Sequence, residues 1–224
     1  MSLIEVKNVT KIYKQGKIDN YALRGVSLDI EAGDFVVLSG PSGSGKSTLL
    51  NIIGSLDNAT SGDVFIDGNN ISKMSASALA DFRLNNMGFI FQSYNLFPVL
   101  TALENVGLAL ELKGIPRAEI ISRSTAALEE VGLKDFLKRK PNELSGGQQQ
   151  RVAVARALVS KPRLILGDEP TANLDSANSE SLIDLMKAMQ DKYKTTVILS
   201  THDSMVLSKS KRVITLRDGQ VASS

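Results

Sequence analysis

The stretch "FVVLSGPSGSGKSTLLNIIGSL", residues 35–56, sets an apolar run, a glycine-rich turn and a second apolar run in succession. Within it Gly40 to Ser47 fits G-x-x-x-x-G-K-[ST] in full, the pattern of a loop that cradles phosphate groups between a strand and a helix. Glycine lets successive backbone N–H groups turn inward around phosphate oxygens, and the dipole of a helix starting near Lys46 adds positive potential at the same point. Gly40, Pro41, Ser42, Gly43, Ser44, Gly45, Lys46, Ser47 and Thr48 are therefore candidate nucleotide-binding residues. Lys46 is placed to reach the β- and γ-phosphates, Ser47 carries a hydroxyl for Mg²⁺, and Thr48 falls near the α-phosphate. The loop reads phosphates and leaves the base unread.

Three further groups have types and positions suited to the same chemistry. "RLILGDEP" ends an apolar run on Asp168 and Glu169. In open α/β sheets ligands bind beyond the carboxyl ends of the strands, which puts Asp168 where the Mg²⁺ of a phosphate site lies. Alternate residues of a strand face opposite ways, so Glu169 is directed elsewhere and is suited to polarise an attacking water. His202, the one histidine, follows the apolar run "TVILS". A neutral imidazole there can hydrogen-bond a γ-phosphate and orient the water. The third group is "ELSGGQQQR", residues 143–151. Ser145 and Gln148 have the spacing of a capping box, and Val152, Ala155, Leu158 and Val159 recur at helical intervals. Gly146 and Gly147 nevertheless occupy the first helical positions, where each costs about 1 kcal/mol relative to Ala. With free N–H groups this helix start is a second anion site, yet it lacks a lysine equivalent to Lys46.

The elements that must position these residues are legible from periodicity. "FVVLS" (35–39), "MGFIF" (87–91), "RLILGD" (163–168), "TVILS" (196–200) and "RVITL" (212–216) are apolar on both faces, as strands of a largely parallel, helix-covered sheet are. "LIEVKNV", "ALRGVSLDI" and "GDVFIDG" instead alternate apolar and polar residues, which predicts antiparallel strands with one wet face. Between about 93 and 160 strand signals vanish; "ALENVGLALELKG", "RAEIISRSTAALEEVG" and the run after "LSGGQ" predict helices. The expected fold is α/β, a single domain over 1–224. In it 1–92 and 161–224 form the α/β core with an N-terminal antiparallel part, and 93–160 form an inserted α-helical subdomain. There is no internal repeat, low-complexity linker or long heptad array.

Composition excludes several classes. The 224 residues are 42% hydrophobic, enough for one substantial core. Lys and Arg number 26 against 24 Asp and Glu, and a net charge of +2 gives no field for steering toward nucleic acid or an anionic membrane. With no cysteine there are no disulfides, thiolate metal sites or cysteine nucleophiles, and the expectation is a reducing compartment. "MSLIEVKNVTKIY" lacks the apolar run of a signal peptide, and no window approaches the roughly 18 to 20 apolar residues that span a bilayer. The expectation is a chain soluble by itself, whose membrane role comes through a partner.

Over nearly its whole length the sequence resembles the nucleotide-binding subunits of ATP-binding cassette transporters, members of the P-loop NTPase fold. Six motifs match in order: the phosphate loop at 40–48, Gln92 in "FIFQSYNLFP", "LSGGQ" at 144–148, "LILGDE" at 164–169, "NLD" at 173–175, and His202. One departure is Gly167, where many relatives carry Ala or a larger apolar residue. The resemblance implies that the nucleotide is ATP with Mg²⁺ and that Tyr13 stacks on adenine. It also implies that Gln92 contacts Mg²⁺ and the attacking water while linking core to helical lobe. Glu169, His202, Gln92 and Lys46 form the catalytic set, and Ser47, Gln92 and Asp168 the metal set. Two cassettes are expected to pack head to tail as a homodimer. Ser145, Gly146, Gly147 and Gln148 of each then cover the γ-phosphate held by the other, with Asp175 at the interface beside the partner's phosphate loop. Glycine lets the backbone come close to that phosphate.

The resemblance further implies separate integral membrane permease subunits that dock around Gln92 to Leu100, where Leu96, Phe97 and Leu100 can accept a short helix. The chain is then cytoplasmic and peripheral on the inner face of the cell membrane. Its wording is most similar to the lipoprotein-release, macrolide-export and cell-division cassettes, which points to an exporter or extractor. The importer subunit is the alternative, weighed lower on the short tail after "TLRDGQ". A chromosome-organising ATPase would carry a coiled-coil insertion before "LSGGQ", and a translation-factor ATPase usually two cassettes, so a non-transport ATPase is weighed lower still.

Overall fold

The computed structural model describes residues 2–16 and 18–223. In chain order the strands and helices run β1 (Ser2–Gln15), β2 (Ile18–Glu31), β3 (Phe35–Ser39), α1 (Lys46–Ile53), β4 (Ser61–Ile66), β5 (Asn69–Asn70) and α2 (Ala76–Asn86). There follow β6 (Met87–Phe91), α3 (Ala102–Leu112), α4 (Arg117–Glu130), α5 (Gly146–Leu158), β7 (Leu164–Asp168), α6 (Ser176–Tyr193), β8 (Thr196–Ser200), α7 (Ser204–Lys209), β9 (Arg212–Arg217) and β10 (Gln220–Ser223). The chain divides into two compact units, Met1–Arg83 with Thr196–Ser224, and Leu84–Thr195.

In the first unit an antiparallel sheet has the order β2-β1-β4-β5. Its alternation is the predicted one: Val26, Leu28 and Ile30 are buried while Ser27 and Asp29 face solvent. Ile4 lies opposite Ile30 and Val6 opposite Leu28, so the apolar residues of both strands share one face. A register shift between Val6 and Val9, with Asn8 at φ 49°, inserts a bulge. The second sheet of this unit has the order β10-β9-β3-β8, with β3 parallel to both β8 and β9. Val36, Val37 and Leu38 are fully buried and every residue of β8 is buried, which is why these strands read as unbroken apolar runs. Helix α1 turns Leu49 and Ile53 into the core.

In the second unit β6 and β7 pair in parallel, Met87 with Leu164 through to Phe91 with Asp168. Gly167 is buried opposite Ile90, so the missing side chain leaves the ladder intact. From Phe91 to Leu164 the chain consists of helices, short 3₁₀ turns and loops. Helix α5 contacts β6, α3 and α4. It approaches β6 closely because residue 88 is glycine, where a Cβ would stand 2.5 Å from the Ala157 carbonyl oxygen. Asn105, fully buried on α3, donates to the carbonyls of Phe97, Leu100 and Thr101 and accepts from the Phe97 amide. One side chain thus fixes the loop that follows Gln92. Helix α2 is the element that periodicity misses, since it buries none of its residues.

Candidate functional site

The first unit carries the phosphate loop. The carboxyl end of β3 runs into Gly40, and α1 begins at Lys46 with no acidic residue in its first turn, so the positive end of the helix dipole stands uncompensated. Gly40 and Gly45 have φ of 142° and 101°, and a Cβ on either would meet backbone, 2.1 Å from the Leu216 oxygen or 2.6 Å from the Ala22 oxygen. No other residue fits there without moving a neighbouring strand. Pro41, Ser42, Gly43 and Ser47 are exposed, Thr48 is half-buried, and Ser44 is buried with its hydroxyl unpartnered among the described residues. Lys46 is 7% exposed, and its ammonium donates to the carbonyls of Gly40 at 2.8 Å and Pro41 at 3.0 Å. These two neutral carbonyls hold the side chain across the loop without offering it a counter-charge.

His202 follows β8, and Gly40 follows the adjacent parallel strand β3, in which Leu38 pairs with Ser200. Both therefore leave the sheet at its carboxyl end. The exposed His202 is held between Thr201, whose amide donates to the Leu38 carbonyl, and Asp203, which caps α7.

Tyr13 stands on β1, 41% exposed, with its hydroxyl donating to Asp57 Oδ2 at 2.7 Å. The Lys11 ammonium donates to Asp57 Oδ1 at 2.6 Å and to the Asn58 carbonyl at 2.7 Å, and lies 4.8 Å from the Tyr13 ring centre. Partial burial works to raise the Asp57 carboxyl, but hydrogen bonds from Lys11, Tyr13 and the Asn58 amide outweigh it and hold the group below the usual carboxylate range. Burial, then the bond to Asp57, push the Tyr13 phenol upward, and the Thr48 hydroxyl acts on it in the opposite sense. Tyr13 and the end of the phosphate loop are thus neighbours. Asp57, a few residues beyond α1, went unread in the sequence because an acidic residue in a turn carries no signal of its own.

The second unit carries the remaining candidates. Since Phe91 pairs with Asp168, β6 and β7 end together, and Gln92 and Glu169 leave the sheet side by side. Glu169 is half-buried in a left-handed conformation, φ 47°. A non-glycine residue held there costs about 1–3 kcal/mol and persists only where its surroundings dictate it. The turn after it is closed by Ala172 N–H to the Glu169 carbonyl and Leu174 N–H to that of Thr171. Asn173 donates to the Gln92 carbonyl at 2.9 Å, tying the "NLD" segment to Gln92. Buried Gln150, unread in the sequence, donates to the carbonyls of Pro170 and Phe91.

The capping box is present. Ser145 Oγ accepts from the Gln148 amide, and Gln148 Oε1 accepts from the Ser145 amide at 2.9 Å. Asp175 caps α6, with both carboxylate oxygens bound by Asn178. The Asn178 amide and side chain hold its carboxyl below the usual range. A Cβ on Gly146 would stand 2.8 Å from the Tyr94 hydroxyl and one on Gly147 3.2 Å from Asn178 Oδ1. The two glycines therefore have a reason within the chain itself, crowding by Tyr94 and Asn178, besides the approach of a phosphate expected from the sequence.

Among the described residues no group of three His, Cys, Asp or Glu can hold a metal ion, and no helix is long and apolar enough to cross a membrane. The expected metal donors are Ser47 in the first unit and Gln92 and Asp168 in the second. Hydroxyl, amide and carboxylate oxygens are the ligand type that Mg²⁺ takes, with phosphate and water completing its shell.

Residues 23–172 match the ABC transporter family. An ABC transporter ATP-binding protein of Thermotoga maritima is 47% identical over 98% of this chain and 93% of its own length. The macrolide export ATP-binding/permease protein MacB of Aggregatibacter actinomycetemcomitans is 44% identical over the whole chain, which spans 34% of that longer protein. Among solved structures, the dimeric, post-hydrolysis ATP-binding cassette MJ0796 bound to ADP and Pi superposes with a TM-score of 0.92 at 46% identity, covering 98% of this chain and 97% of that one. MJ0796 comes from Methanocaldococcus jannaschii. With that agreement along nearly the full sequence, the chain belongs to the ABC transporter family, as one of its ATP-binding ATPase subunits.

Proposed function

We propose that this ATPase works as a head-to-tail homodimer around two Mg-ATP and drives separate permease subunits of an exporter or extractor. The observation that carries the reading is the glycine-built loop of Gly40–Gly45 with Lys46 laid across its carbonyls. What supports the dimer is that MJ0796 is dimeric; what supports export is the kinship to MacB, named for macrolide export.

In this reading the loop amides and Lys46 bind the β- and γ-phosphates, Thr48 the α-phosphate, and Tyr13 the adenine. Ser47, Gln92 and Asp168 hold Mg²⁺, which offsets phosphate charge when bound. Glu169 accepts the proton of a water that attacks the γ-phosphorus while the bond to the β–γ bridging oxygen breaks; Gln92 and His202 orient that water and the γ-phosphate. Ser145 to Gln148 and Asp175 face the nucleotide of the partner copy. The whole chain acts as one ATPase domain, with the helical lobe of 93–160 carrying the docking surface. There Phe97 is 50% exposed while Leu96 and Leu100 are half-buried, and Val99, not singled out in the sequence, is 72% exposed, so the apolar area suited to a short permease helix centres on Phe97 and Val99. The chain then sits on the inner face of the membrane through that partner.

Glu169→Gln tests the assignment of the base. The variant should bind radiolabelled ATP as the parent does and show no steady-state hydrolysis; hydrolysis at the parental rate removes Glu169 from the mechanism.

A further inference from the structure

We infer that Gln150 is the positioning residue that fixes Glu169 and Gln92 from behind. Its side chain is fully buried on α5, one turn after Gly146, and both hydrogens of its single Nε2 are used. One goes to the Pro170 carbonyl at 2.7 Å and the other to the Phe91 carbonyl at 3.4 Å. Pro170 follows Glu169 and Phe91 precedes Gln92, so a single amide grips the backbone beside each of the two residues that the proposed mechanism sets on the attacking water. Both neighbours are carbonyls, which fixes the orientation of the amide: nitrogen toward the loops, oxygen away.

That orientation leaves Gln150 Oε1 buried with no hydrogen-bond partner among the described residues. A buried acceptor without a donor destabilises a fold, and Leu or Met fills nearly the same volume without one. The amide is thus a poor choice for packing alone, and its presence fits a need for two donors at this point. What those donors hold is unusual backbone. Glu169 is left-handed at φ 47°, and the segment after Gln92 is left-handed at Tyr94 and Asn95, with φ of 60° and 49°. Arg156, two turns further along α5, donates to the carbonyls of both Tyr94 and Asn95. The close packing at Gly88 and Ala157 seats α5 on the strand that leads to Gln92. Helix α5 therefore presents "LSGGQ" at its start and supports the two catalytic turns from its middle.

The inference rests on the reading of Glu169 and Gln92 above. A misplacement of about 1 Å at a reacting group costs up to ~100-fold in rate. In the full chain Gln150→Leu and Gln150→Met should each lower kcat at least about tenfold. The ATP concentration for half-maximal rate should stay within about twofold, and each variant should stay folded at the assay temperature with a somewhat lower thermal midpoint, since the buried Pro170 carbonyl loses this donor. A kcat within about twofold of the parent in both variants overturns the inference. So does a fall in kcat matched by an equal loss of ATP binding or of folded protein, which marks a packing role. Glu169→Gln measured alongside separates the two claims. If it is inactive while the Gln150 variants are unimpaired, the positioning role fails alone; if it hydrolyses at the parental rate, the underlying reading fails first.

Discussion

Replacing Tyr13 by Ala or by Phe separates what its ring does from what its hydroxyl does. Base stacking on an aromatic side chain contributes about 1–3 kcal/mol by alanine substitution. At 1.4 kcal/mol per factor of ten this is roughly a 5- to 150-fold loss of ATP affinity for Tyr13→Ala. The hydroxyl contributes less. Its bond to Asp57 is to a charged acceptor, a type with a net value of about 1.5–3 kcal/mol when well buried. Here Tyr13 is 41% exposed, and the Asp57 side chain 30%, so solvent screening brings the value to about 1 kcal/mol or below. Lys11, with a side chain only 11% exposed, still holds Asp57 when the phenol is gone. Tyr13→Phe should therefore weaken ATP binding by less than about tenfold, since the ring remains and only its tether is lost. The assay is equilibrium binding of ATP beside inorganic tripolyphosphate, which presents the same phosphates without a base. Tyr13→Ala should lose affinity for ATP and keep it for tripolyphosphate. Unchanged ATP affinity, or equal losses for both ligands, refutes a ring stacked on adenine.

Three further outcomes follow from the geometry. Gly88→Ala forces a Cβ to within 2.5 Å of the Ala157 carbonyl oxygen, a backbone atom that cannot swing aside, so it should destabilise the fold by about 1–3 kcal/mol. An unchanged urea midpoint would show that α5 can lift off β6 freely. The Asp57 carboxyl is held below its unfolded value of about 3.9. The stability it contributes is thus present above about pH 4 and lost as the pH falls through the lower, folded-state value. Asp57→Asn should accordingly be less stable than the parent at neutral pH, with the gap narrowing below about pH 4; a gap of the same size at pH 7 and pH 3 contradicts the assignment. Gly146→Trp should leave ATP binding by the isolated chain intact, because the one tight contact of the added Cβ, 2.8 Å, is to the far end of the Tyr94 side chain, and the Asn173 carbonyl oxygen lies at an ordinary 3.9 Å. Loss of nucleotide binding would tie Gly146 to the chain's own phosphate loop.

The strands that were legible in the sequence are those whose burial is uniform or strictly alternating. "FVVLS", "MGFIF" and "TVILS" coincide with β3, β6 and β8 residue for residue; burial on both faces demands an unbroken apolar run in β8 and the middle of β3, while in β6 the two half-buried residues, Phe89 and Phe91, are themselves apolar and keep the run unbroken. Helix α2 was illegible for the opposite reason: it buries no residue, so no apolar stripe marks it, and its start is signalled only by Ser75 accepting from the Ala78 amide. In the site, the phosphate loop was readable because glycine, lysine and hydroxyl must follow one another along the chain. Gln150 and Asp57 were not, since the groups they tie together, Pro170 and Phe91 for one and Lys11 and Tyr13 for the other, lie 20 or more residues away and nothing in a local pattern marks them. Gly146 and Gly147 were readable as an anomaly only. Sequence spacing shows that they weaken a helix start, while the crowding by Tyr94 and Asn178 depends on tertiary packing.

The central claim is that ATP joins two copies of this chain. Multi-angle light scattering on Glu169→Gln, with and without Mg-ATP, measures it directly. The account predicts a mass of 24.1 kDa without nucleotide, twice that with ATP, and a return to the single mass when Gly146→Trp is added. A Glu169→Gln chain that binds ATP and stays at 24.1 kDa contradicts it.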